Sequence, residues 1–155
     1  MAIIFNRERN LSIEITPILM DEFGFLCKLC VNSELIKNEN NDSPLRSSYV
    51  SHENLKYFIK NIENLNNIET FKEETDVVFD FYPIDMFIMM DVFKSTNDFL
   101  WIESKIPAQM LNNMNIDGYF VGFNFWVHIQ DFLNFTACFV AECNNFISLK
   151  NKDNN

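Results

Sequence analysis

The sequence predicts an α+β fold: one domain (residues 1–155) with an antiparallel meander sheet of about five to seven strands and two helices packed on one face. Residues 76–128 contain four runs rich in β-branched and aromatic side chains, separated by short polar breaks. Residues 52–65 and 130–146 instead place apolar side chains at helical spacing. A chain of 155 residues with 48% hydrophobic content is long enough to build one packed core.

The first predicted element is a β-hairpin over residues 11–31. Leu11, Ile13 and Ile15 alternate with polar residues, which is typical of a half-buried strand, and Pro17 is expected to end it. A turn then leads into the second strand. This hairpin can extend the main sheet or lie across its far face.

A helix is predicted next, after a possible short strand over residues 45–50. Ser51 is a suitable N-cap for this helix. The side chains expected on its buried face are Leu55, Phe58, Ile59, Ile62 and Leu65. Those expected on its solvent side are Tyr57, Lys60, Asn61 and Glu63.

The four predicted meander strands are residues 76–82, 86–93, 98–106 and 119–128. A two-residue turn at Ile84 and Asp85 would place the second strand's apolar set against the apolar set of the first. The side chains expected to face the core are Val77, Phe79, Phe81, Met86, Ile88, Met90, Val92, Leu100, Ile102, Ile106, Tyr119, Val121, Phe123, Phe125 and Val127. A second helix follows, with a wide apolar side formed by Phe132, Phe135, Phe139 and Cys143.

The opposite face of the meander is predicted to be aromatic and acidic. The candidate partner-binding residues on it are Asp80, Asp91, Phe99, Trp101, Glu103 and Trp126. Aromatic side chains ringed by charge are typical of interface anchors. A solvated face and a face covered by the N-terminal hairpin are the alternatives. An acid/base or divalent-metal enzyme would need Asp80, Asp91 and Glu103 to converge in a pocket.

Composition narrows the classes of partner and cofactor. The formal net charge of −10 disfavours binding to nucleic acid or to anionic membranes and favours basic protein partners. Cys27 and Cys30 lie three residues apart in a predicted strand and so point to opposite faces, which disfavours a zinc site. No metal or other cofactor is expected, and the four cysteines of a cytoplasmic protein should be thiols.

The order of elements carries a resemblance. A hairpin is followed by a Ser-capped helix with Leu55 and Phe58, a meander opening with Phe-Asp-Phe-Tyr-Pro-Ile-Asp at residues 79–85, and a last strand that passes straight into a helix. This order resembles the WapI family of bacterial immunity proteins over residues 11–145. The resemblance implies a cytosolic, non-enzymatic antidote that binds the toxin domain of a contact-dependent toxin, commonly a nuclease. A generic protein-binding adaptor is the blander alternative, and the acidic loop over residues 34–42 is an alternative binding site.

Overall fold

The structure, a computed structural model, describes residues 1–33, 48–66, 76–83, 88–95, 98–107 and 119–153. Eight strands and two helices lie in these ranges. The strands are β1 (Ala2–Phe5), β2 (Leu11–Met20), β3 (Gly24–Ser33), β4 (Ser48–Ser51), β5 (Val77–Phe81), β6 (Met89–Lys94), β7 (Phe99–Pro107) and β8 (Phe120–His128). The helices are α1 (His52–Asn66) and α2 (Ile129–Asp153).

The strands form two antiparallel sheets of four strands each. Sheet 1 has the order β1-β2-β3-β4, and sheet 2 has the order β5-β6-β7-β8. The α+β class and the four-strand meander are therefore confirmed. The single sheet of five to seven strands is corrected to two sheets, because the predicted hairpin, now β2 and β3, pairs with β1 and β4 instead of with the meander.

Pro17 does not end β2. The strand continues to Met20, and its pairing with β3 shifts register between Pro17 and Leu19. A proline cannot donate to the ladder, and a local irregularity lets the strand pass through it.

Sheet 2 has the predicted faces but a shifted register between β5 and β6. Phe79 pairs with Val92 and Phe81 with Met90. A two-residue turn at positions 84 and 85 would have placed Phe81 opposite Ile88 instead. Because the shift amounts to two residues, Phe79, Phe81, Met90 and Val92 keep their predicted faces. The turn itself lies outside the described residues.

One residue predicted for the buried face of α1, Ile59, is 38% exposed, and two residues predicted for the core of the meander are also exposed. The irregular pairing between Val77 and Phe79 turns Val77 outward, where it is 45% exposed, and buries Val78 in its place. Tyr119 precedes β8 and is 67% exposed. Both lie at the end of a strand run, where alternation alone does not fix orientation.

Helix α1 begins as predicted. The Ser51 hydroxyl oxygen accepts a hydrogen bond from the Asn54 backbone N–H at 3.0 Å, while the Asn54 side-chain oxygen accepts one from the Ser51 N–H at 3.3 Å. This reciprocal cap satisfies two donors at the helix start. The Phe58 ring then packs edge-on against Phe79 and Phe81 of β5.

Helix α2 buries the predicted side, formed by Phe132, Phe135, Phe139 and Cys143. It packs on β1 and β2 of sheet 1, and its Phe132 ring also contacts Phe79 of sheet 2. The helix extends to Asp153, beyond the predicted end at residue 146. Buried side chains of both sheets and both helices thus form one core, which leaves the other face of sheet 2 pointing outward.

Candidate acidic-aromatic interface

Three carboxylates lie side by side across the outward face of sheet 2. Asp80 on β5 pairs with Asp91 on β6, which pairs with Glu103 on β7. Asn124 on β8 completes the row. Directly paired residues of an antiparallel sheet have neighbouring side chains on one face. The predicted grouping of the three acids on this face is confirmed by the register.

An aromatic row runs beside the acidic one. Phe93, Trp101 and Trp126 are successive cross-strand partners on β6, β7 and β8. The two indole rings lie 4.8 Å apart between centroids, and Trp126 is 39% exposed. Phe99 lies one pair further along β7, opposite His128. We call the surface formed by Asp80, Asp91, Phe93, Phe99, Trp101, Glu103, Asn124 and Trp126 the acidic-aromatic face.

Neutral donors hold two of the carboxylates. The Trp101 indole N–H donates to Glu103 Oε1 at 3.1 Å, and the Tyr82 hydroxyl donates to Asp91 Oδ1. Burial, and then the hydrogen bond to Asp91, raise the pKa of the Tyr82 hydroxyl. The aromatic side chains therefore both flank these acids and fix their orientation.

Asp80 is held from outside the sheet by α1. The Tyr57 hydroxyl lies 3.2 Å from both carboxylate oxygens of Asp80, and Asn61 Nδ2 donates to Asp80 Oδ1 at 2.8 Å. Asn61 is buried, so its predicted solvent position is corrected. The helix period alone placed Asn61 outside the apolar arc. Its position opposite a carboxylate on β5 depends on a tertiary contact, and no local pattern reports it.

Arg7 lies in the turn between β1 and β2 of sheet 1 and contacts the acidic-aromatic face. Its backbone N–H donates to the Trp126 carbonyl oxygen at 2.8 Å, and its guanidinium carbon lies 5.1 Å from the centroid of the Phe99 ring. The remaining N-terminal hairpin belongs to sheet 1. Trp126 and Asn124 accordingly stay exposed.

The cysteines follow the predicted geometry. Cys27 is buried and Cys30 half-buried on opposite faces of β3, while Cys143 is buried and Cys138 exposed on α2. Burial raises the pKa of the Cys143 thiol to about 12 and also raises that of Cys27. Within the described ranges, no three His, Cys, Asp or Glu side chains gather in a way that could hold a metal ion.

Two further findings concern the chain as a whole. None of the described helices is long and apolar enough to cross a membrane. No protein-family model, curated protein or solved structure matches the chain. The resemblance to the WapI family therefore stays a prediction, and the acidic loop over residues 34–42 lies outside the described residues.

Proposed function

We propose that this protein is a non-enzymatic cytoplasmic immunity protein that binds a basic bacterial toxin domain, such as a nuclease, through the acidic-aromatic face. The observation that carries the proposal is the placement of an acidic row directly beside an aromatic row. Desolvated aromatic anchors supply much of the affinity of protein interfaces. Charge complementarity supplies specificity and a fast association rate.

The acidic row is costly for the isolated protein. Like charges directly opposite each other in a sheet are destabilising, yet Asp80 faces Asp91 and Asp91 faces Glu103. Across the described part of the chain, these three carboxylates have neutral hydrogen-bond donors and no Lys or Arg ion pair. Lysine or arginine side chains of a partner would relieve this repulsion.

The net charge extends the effect beyond contact distance. With a formal charge of −10, the protein attracts a basic domain over a Debye length, about 8 Å at physiological ionic strength. A nuclease must present a basic surface to its phosphate substrate. An acidic protein bound to that surface would block the substrate groove.

The test is to look for a basic toxin domain encoded next to this protein and to co-express the two. The parent should restore growth and form a complex that purifies intact. The variant Trp101→Ala/Glu103→Gln should lose protection, whereas Phe5→Ala/Glu14→Gln on sheet 1 should retain it. A parent that neither protects nor binds the toxin removes the proposal, and equal protection by both double variants moves the site away from this face.

A further inference from the structure

Sheets end in edge strands, whose outward backbone groups need either protection or a partner. The two edges of sheet 1, β1 and β4, are only 4 residues long each. On the β5 edge of sheet 2, α1 supplies donors: Asn61 Nδ2 bonds to the Asp80 carbonyl oxygen at 2.9 Å, and Asn54 Nδ2 to that of Tyr82 at 3.5 Å. Strand β8 is the remaining edge strand, and at 9 residues it is the longest of the four edge strands.

The direction of each backbone group on β8 follows from Arg7. Its N–H bonds to the Trp126 carbonyl oxygen from outside the sheet, and backbone groups alternate in direction along a regular strand. The even-numbered residues Phe120, Gly122 and Asn124 therefore turn their N–H and C=O groups outward. Among the described residues, none bonds to these six groups.

The composition of β8 leaves this edge unprotected. Natural edge strands are commonly guarded by lysine, proline, a bulge or short length, but residues 120–127 contain no charged residue and no proline. Pairing with β7 is regular along the whole strand. Among the described residues, a Cβ added at Gly122 would meet nothing closer than the Ser104 carbonyl oxygen at 3.9 Å.

Arg7 already shows what a residue beside this edge can do. Its backbone pairs with β8 at Trp126, while its guanidinium crosses β8 and lies over Phe99 on β7. A cation carried by a neighbouring strand therefore reaches the outward face two strands away, about 10 Å for the usual strand spacing. Glu103 is the β7 partner of Asn124, so a cation carried opposite Asn124 would lie two strands from this carboxylate.

We propose that the open β8 edge at Phe120–Asn124 binds an extended basic segment of the protein partner, which pairs as a fifth strand of sheet 2. This is strand addition, with backbone bonds giving affinity and alternate side chains giving specificity. The inference deepens the proposed function and rests on it for the partner's identity. Charge selects a foreign basic strand over a second copy, because two copies would each bring a charge of −10.

The test uses a synthetic peptide that alternates lysine with valine, compared with one that alternates glutamate with valine. Amide hydrogen exchange and NMR shifts are measured on the full chain. The lysine peptide should bind saturably and slow exchange at Gly122 and Asn124 by at least about tenfold. The glutamate peptide should leave both amides unchanged.

A matched pair of variants separates backbone pairing from a change in shape. Gly122→Ala adds a Cβ and keeps the N–H, so binding should stay within about twofold; Gly122→Pro removes the N–H and should weaken binding about tenfold. Glu103→Gln should weaken lysine-peptide binding about threefold, and Glu14→Gln should not. Thermal unfolding of each variant reports whether it is folded.

Each outcome decides the inference. Absence of peptide binding, binding that Gly122→Pro leaves unchanged, or protection away from β8 overturns it. Protection of Gly122 that grows with protein concentration in the absence of peptide identifies a second copy as the occupant and also overturns it. If the toxin binds and Gly122→Pro binds it as tightly as Gly122→Ala does, the proposed function stands without strand addition. If the peptide adds to β8 but the toxin does not bind, strand addition stands and the proposed function is overturned.

Discussion

The outward faces of the two sheets differ although both sheets are antiparallel, have four strands and share one core. On sheet 1, Glu14 lies opposite Cys30, and Thr16 lies opposite Lys28. Those side chains mix signs with small polar groups, as a solvated face does. On sheet 2, three acids form one row and three aromatics the next.

Sheet 1 also provides matched controls for sheet 2. Glu14 accepts a hydrogen bond from Thr16 two residues along its strand at 2.9 Å, just as Glu103 accepts one from Trp101 at 3.1 Å. The Arg9 guanidinium carbon lies 5.4 Å from the centroid of the Phe5 ring, and that of Arg7 lies 5.1 Å from the centroid of the Phe99 ring. Single contacts of these kinds are therefore common to both faces. Sheet 2 differs because its acidic side chains form one continuous row and its aromatic side chains form the adjacent row.

The largest expected effect tests which side of sheet 1 faces outward. At pH 8, a thiol with a pKa of about 12, as for Cys143, is about one part in 10,000 thiolate. Cys30 and Cys138 should therefore react with a disulfide reagent at least about 100-fold faster than Cys27 and Cys143. Mass spectrometry of peptides quenched over time assigns each site. Equal rates at Cys27 and Cys30 would mean that the sheet 1 control surface has been assigned wrongly.

The next effect concerns the aromatic row. Truncating a buried anchor costs about 2 kcal/mol or more, so Trp101→Ala should raise the dissociation rate of the proposed toxin complex about 30-fold. Phe5→Ala on sheet 1 should change it by less than about twofold. Each variant is bound to surface-immobilised toxin, the free protein is washed away, and the loss of bound protein with time gives the dissociation rate. A similar loss in the two variants would erase the difference between the sheets.

The outward face of sheet 2 could largely be predicted because strand alternation is local. Phe79, Phe81, Leu100 and Ile102 are buried as their spacing predicts, and Trp126 lies on the exposed side. Period-two patterning assigns each residue to a face without naming the strand's partners. For this reason the alternation along each strand was enough to place Asp80, Asp91 and Glu103 on the same face of the sheet.

The features that sequence reasoning missed depend on tertiary pairing. Strand β1 is a run of only 4 residues, too short for a periodic signal, and it is defined by pairing Ile4 with Ile13. The separation into two sheets depends on such partner choices. Likewise, Asn61 resembles any polar helix residue until β5 brings Asp80 within 2.8 Å.

A smaller effect concerns the acidic row and association. Glu103→Gln removes one charge from sheet 2, and Glu14→Gln removes the same charge from sheet 1. At low salt the first should slow association with the proposed toxin about threefold and flatten the dependence of the rate on ionic strength, while the second changes the rate little. Both variants alter the net charge equally. Equal slowing would assign the attraction to total charge and not to the acidic row.

The smallest effect is the titration of Tyr82. Burial and the hydrogen bond to Asp91 raise its pKa above the ordinary value of 10.0. The folded protein thus holds this proton more tightly than the unfolded chain, so the contribution of Tyr82 to stability is fully present below pH 10 and is lost as pH rises towards the folded pKa. Asp91→Asn should lower the pKa of Tyr82, because it removes a negative charge beside the phenolate, and Glu14→Gln should not. Ultraviolet titration, with Tyr82→Phe to identify the transition, measures the shift. An unchanged pKa in Asp91→Asn would show that the carboxylate does not act on this hydroxyl, and would break the link between the aromatic side chains and the acidic row.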